Sequence, residues 1–175
     1  MRAVHLVLLG ALGCGGAETN GTEPSSEPAE PTAPVSAEPD PRYADAPEGT
    51  EAIARLLRAR HTEDLPDRDA LVAHPEPEES LRWLVTNGDP MLVRVRAAST
   101  LRHFDGAETL TLLRSVYVDE SQPGNLRAAA IEGTARFRLD DVLRAELEVA
   151  AALDDPRVAR AARARLDGAN GTVAP

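Results

Sequence analysis

The sequence predicts an all-α fold, a row of stacked antiparallel helix pairs over residues 50–168. Three observations predict it. Residues 89–166 state one pattern three times, both helices of each repeat carry apolar residues at helical spacing, and acids, prolines and glycines mark the boundaries. Self-similarity at a fixed period of this length is the mark of units that bury their apolar faces only by stacking.

The N-terminal residues stand apart from that pattern. Arg2 is the only firm positive charge of residues 1–13, and residues 3–12 are mostly Val, Leu and Ala. Ten such residues are too few to cross a bilayer and read as an export signal. It ends in Leu12, Gly13, Cys14, Gly15 and Gly16, which looks like a bacterial lipobox. The resemblance implies cleavage before Cys14 and lipidation of its thiol. Cys14 is also the only cysteine, so no intramolecular disulfide can support the fold. Gly15 lacks the acid that retains some lipoproteins in the inner membrane of enteric bacteria, which favours an outer-membrane destination facing the periplasm or the cell surface.

Residues 14–49 are expected to form a lipidated, disordered tether. Seven of the 14 prolines lie from Pro24 to Pro47, and residues 17–48 hold eight acids against Arg42 alone. A chain of that composition cannot bury enough apolar surface to offset its ordering entropy. At ~3 Å per residue a Pro-rich segment of this length would reach up to ~100 Å.

Residues 50–77 are expected to cap the array. Ile53, Leu56 and Leu57 make one stripe, and Leu71 with Val72 fit a short helix after Pro66. Three repeats follow at about 78–104, 105–137 and 139–167. Their first helices show Leu81, Leu84 and Val85, then Leu110, Leu113 and Tyr117, then Leu143, Leu147 and Ala150. Their second helices show Val93, Ala97, Leu101 and Phe104, then Leu126, Ala130, Gly133 and Phe137, then Val158, Ala162 and Leu166. Recurrence every three or four residues places each set on one helix face. Small Ala and Gly positions allow neighbouring helices to approach closely. Pro90 and Pro123, Val93 and Leu126, Arg94 and Arg127, and Ala97 and Ala130 are each 33 apart, and Pro156 and Arg160 continue that spacing. The apolar positions of the third unit fit better with one residue deleted, which aligns Ala159 with the earlier arginines.

Helix boundaries are marked by residue type. Asp89 before Pro90 and Asp155 before Pro156 are expected to cap helices whose first residue has no N–H to satisfy. Asp105 with Glu108 fits a capping box, Asn125 is the expected start of its helix, and Gly88 and Gly168 fit the left-handed position past a helix end. Residues 169–175 are expected to form a disordered tail.

The second helices, Val-Arg followed by small residues after an Asp-Pro turn, resemble the HEAT-like repeats of bacterial proteins over residues 78–166. The resemblance implies a short right-handed α-solenoid, and turn acids paired with second-helix arginines across neighbouring units. Only Asp154 and Arg160 have the six-residue separation such a pair would need.

Few residues point to chemistry. There is no nucleophile elbow, no Gly-rich phosphate loop and no second cysteine; His61, His74 and His103 do not pair at helical spacing for a metal. Catalytic, cofactor-binding and metal residues are therefore expected to be none. Residues 49–175 hold 17 arginines against 21 acids, mildly acidic, which argues against nucleic acid or anionic lipid as the main partner. The candidate partner surface is Arg94, Arg127 and Arg160, equally spaced, with Arg96 and Arg163 nearby and Trp83 as a possible interface anchor. Against that, the arginines could satisfy acids and carbonyls inside the array, and Trp83 could pack on the cap. The expected function is a non-enzymatic interaction or scaffold module at the bacterial cell envelope, binding an envelope protein and held to the membrane through Cys14. Alternatives are an accessory or lyase-like enzyme subunit, implied by the resemblance to bilin-lyase HEAT-like proteins, and a structural spacer.

Overall fold

The computed structural model describes residues 40–58 and 65–170, all within one compact unit. Among the described residues the regular structure is entirely helical. The α-helices are α1 (Thr50–Leu57), α2 (Arg68–Val72), α3 (Pro77–Asn87), α4 (Met91–Thr100), α5 (Ala107–Val118), α6 (Gly124–Gly133), α7 (Asp141–Ala151) and α8 (Pro156–Asn170). Cys14, the export signal and most of the expected tether lie outside these residues.

The core follows the apolar stripes. Leu81, Leu84 and Val85 of α3, Val93 and Ala97 of α4, Leu113 and Tyr117 of α5, and Leu126 and Ala130 of α6 are all buried. Leu143 and Leu147 of α7 and Val158 and Ala162 of α8 complete the set. Helix α3 packs on α4, α5 on α6 and α7 on α8, while α4, α6 and α8 pack on one another in a row. That row depends on small residues. A Cβ added at Gly133 would lie 2.4 Å from the Ala98 carbonyl oxygen, so α4 and α6 meet at a distance only glycine allows. Helix α1 packs on α3 and α4 with Ile53, Ala54 and Leu57 inward; Leu56 and Val72, assigned to the cap's apolar stripes, are exposed.

The structure moves several boundaries. Residues 40–49 were assigned to the tether by composition, yet they are folded against the helices. A 3-10 turn at Pro41–Tyr43 sets the Tyr43 ring 5.8 Å from that of Trp83, and Arg58 donates to the Tyr43 hydroxyl at 2.7 Å. One aromatic pair supplies the ordering that composition did not suggest. Asp89 does not cap α4, which begins after Pro90; its carboxylate points to solvent and its carbonyl accepts from Arg58. Asp105 does not cap α5 either. Glu78, from the preceding helix pair, accepts from the Gly106 N–H at 3.1 Å and from the Thr109 hydroxyl at 2.5 Å, while Glu108 pairs with Arg82. Helix α6 starts at Gly124 after Pro123 rather than at an Asn125 cap, and the Asp155 carboxylate lies where a Cβ on residue 124 would be, so only glycine fits there. Gly88 closes α3 in an extended conformation, and α8 runs through Gly168 to Asn170. Asp155 caps α8 as expected, accepting from Arg157 and Val158, and Asp140 caps α7, accepting from Leu143.

Candidate functional site

The arginines of the second helices divide into two groups. Arg94 donates from Nε to the Val85 carbonyl at 2.8 Å and from Nη2 to Gln122 at 3.3 Å. Arg127, only 7% exposed, donates from Nε to the Tyr117 carbonyl at 2.9 Å. In the third pair the position aligned with Arg127 is the buried Ala159, and Arg163, one turn later on the same face, donates to the Ala151 carbonyl at 2.8 Å. Each of these arginines thus satisfies a carbonyl at the C-terminal end of the first helix of its pair. Those carbonyls have no intrahelical donor, and that end of the helix dipole favours a cation. Arg96 does the same for α1, donating to the Leu57 carbonyl at 2.9 Å.

Arg160 belongs to the other group. It is exposed, forms no ion pair with Asp154, and lines an open groove of about 1140 Å³. The groove runs over α4, α6 and α8. Its floor is built from Ala128, Ala129, Ala161 and Ala164, and Leu65, Val95 and Phe137 add apolar surface. Among the described residues its charged lining is mostly basic: Arg96, Arg102, Arg138, Arg157, Arg160 and Arg165, with Glu132 as the acid. Glu132 accepts a hydrogen bond from Ser99 at 3.0 Å. Arg102, Arg138, Arg157 and Arg160 are exposed. Arg165 reaches back to the Phe137 carbonyl at 2.6 Å and the Thr134 carbonyl at 3.3 Å, and its Nε is buried with no acceptor. Burial lowers its pKa from the ordinary arginine value.

The expected site residues therefore separate. Arg94 and Arg127 are turned into the fold, Arg160 lines the groove, and Trp83 is half-buried against Tyr43 rather than standing free. Regular spacing could not reveal Arg102, Arg138, Arg157 and Arg165. The signal that could have done so is the charge bias of α8, which carries Arg157, Arg160, Arg163 and Arg165 against Asp167.

A second polar cluster joins the first helices. Arg114 of α5 donates from Nε to Glu146 of α7 at 2.9 Å and also from Nη2, and the buried Tyr117 hydroxyl donates to the same carboxylate at 2.5 Å. Burial raises the Tyr117 pKa, and its bond to Glu146 raises it further. Burial alone would raise the Glu146 pKa, but the donors Arg114 and Tyr117 outweigh it and hold the carboxyl below its ordinary value. Each group is committed to another, so this is a brace between helices. No cluster able to hold a metal ion and no helix long and apolar enough to cross a membrane occurs among the described residues. His103 is half-buried, with its Nε2 lacking a hydrogen-bond partner, and burial lowers its pKa.

No protein-family model matches the chain, and no curated protein or solved structure is significantly similar to it. What the fold defines is an all-helical protein in which three helix pairs share one core.

Proposed function

We propose that this chain is a non-enzymatic interaction module, a short HEAT-like α-solenoid that presents its groove to another protein at the bacterial cell envelope and is tethered there by lipid at Cys14. The observation that carries the reading is the groove itself. It is assembled from one helix of every pair, with an alanine floor and an arginine rim, and it is open rather than enclosed. Stacked helix pairs bind through extended surfaces of this kind. The groove is open along three helices, the form an extended polypeptide segment fits. The polar brace at Glu146 supports the non-enzymatic reading, since its donors and acceptor satisfy one another.

Capture of the tagged native protein from membranes in mild detergent tests both parts, with mass spectrometry of its companions and of its own N-terminal peptide. One stoichiometric envelope protein and a lipidated peptide beginning at Cys14 are the expected results. An unmodified N-terminus removes the tether, and absence of any companion removes the interaction module.

A further inference from the structure

We propose that the groove receives an acidic, partly apolar segment of the partner polypeptide, its carboxylates paired with Arg157 and Arg160 of α8 and with Arg102 and Arg138 beyond the ends of α4 and α6. This rests on the interaction reading above and adds the chemistry of the partner.

Charge distribution carries the inference. Residues 49–58 and 65–170 hold 16 arginines against 19 acids, and among these described residues the groove lining takes six of the arginines and one of the acids. The others amount to 10 arginines against 18 acids, so a positive trough belongs to an otherwise negative set of described residues. A potential of that shape attracts an acidic segment small enough to enter the trough and repels a polyanion that extends beyond it. Nucleic acid would have to run its phosphates over the acidic surroundings. A flat anionic bilayer would leave the apolar floor of the groove unused.

The state of the arginines agrees. Among the described residues, Arg102, Arg138, Arg157 and Arg160 take part in none of the ion pairs, which instead occupy Arg42, Arg55, Arg82 and Arg114. Their guanidinium groups are planar forks suited to a carboxylate accepted on two N–H donors. Between them the alanine floor and the Val95 and Phe137 side chains offer apolar contact, which an all-acidic ligand would leave unused. A segment alternating glutamate with leucine or alanine satisfies both.

The test is fluorescence anisotropy of the full-length chain with a short fluorescein-labelled peptide of Glu, Leu and Ala. Saturable binding is expected, weakened by added salt and absent for the matching peptide with Lys in place of Glu. In the Arg157→Glu, Arg160→Glu double variant the affinity should fall about tenfold or more while the circular dichroism spectrum is unchanged. If that variant loses helicity, Arg102→Glu with Arg138→Glu takes its place. Equal binding by wild type and variant, equal binding of the Lys peptide, or tighter binding of duplex DNA or phosphatidylglycerol vesicles than of the acidic peptide overturns the inference. Membrane capture with both proteins separates the two levels. A native partner retained equally by wild type and variant removes the acidic segment and leaves the interaction module standing.

Discussion

Arg94 and Arg127 leave their helices toward carbonyl oxygens of the preceding helix, whereas Arg157 and Arg160 leave α8 into an open groove. Both sets come from second helices, and residue type does not tell them apart. Nor does spacing, since Arg160 lies 33 after Arg127 just as Arg127 lies 33 after Arg94. Arg94 and Arg127 repeat because every helix pair ends its first helix the same way and needs the same donor there. Arg160 keeps that spacing and still opens into the groove, because in the third pair Arg163 meets the carbonyl instead. What separates the two sets is whether the guanidinium meets a carbonyl at the end of the first helix of its pair.

The strongest way to break that contrast is Arg127→Met, which keeps much of the stem volume and removes the donor to the Tyr117 carbonyl. The side chain is 7% exposed, so no solvent replaces the lost bond. A loss of about 2–3 kcal/mol is expected from chemical denaturation, the range for a buried hydrogen bond with a charged donor. Arg94→Met should cost about half as much, since Arg94 is only half-buried and water can reach its acceptors. Equal effects, or none, would return both residues to the candidate partner surface.

Much of this contrast was legible in the sequence. The apolar stripes placed the buried face of α3 to α8, and Asp155 announced its cap, because both signals act within a few residues. Caps supplied across helix pairs were not legible. Glu78 serving α5 depends on how neighbouring pairs meet, which no local window contains. Tyr43 was hidden for the same reason: a tether-like composition surrounds it, and its partner Trp83 is forty positions away. The groove was half legible. The excess of arginine in α8 was visible, but the alignment of α4, α6 and α8 that joins Arg102 and Arg138 to it is a property of the packed row.

The row of first helices sharpens the comparison from the other side. Where α4, α6 and α8 meet through alanine and glycine, α5 and α7 are held by Glu146 with Arg114 and Tyr117. Glu146→Gln should cost about 1 kcal/mol at neutral pH, less than a fully buried charged bond because Arg114 is 38% exposed and screened by solvent. The pH dependence has a definite sign. The folded-state pKa of Glu146 is lowered from the ordinary 4.5, so its contribution is present above that value and is lost as pH falls through the folded value. Denaturation midpoints of wild type and variant should therefore differ at pH 7 and converge in acid below 4.5. A gap that persists at low pH would mean that the Gln variant is strained rather than missing a charge.

The smallest expected effect is the most informative about the groove. Arg157→Gln with Arg160→Gln removes two charges from exposed positions that take part in no ion pair among the described residues. Surface substitutions of this kind change stability by about 0.5 kcal/mol or less. The sign carries further content. Among the described residues the exposed Arg102, Arg138, Arg157 and Arg160 share the groove and repel one another, so removing two should leave stability unchanged or raise it slightly at low ionic strength, with the gain fading as salt screens the repulsion. Arg163→Gln on the same helix should instead lower stability, because it gives up the bond to the Ala151 carbonyl. If all three substitutions destabilise alike, α8 holds its arginines for the fold, and the division between repeated donors and an open receiving surface fails on the one helix that carries both.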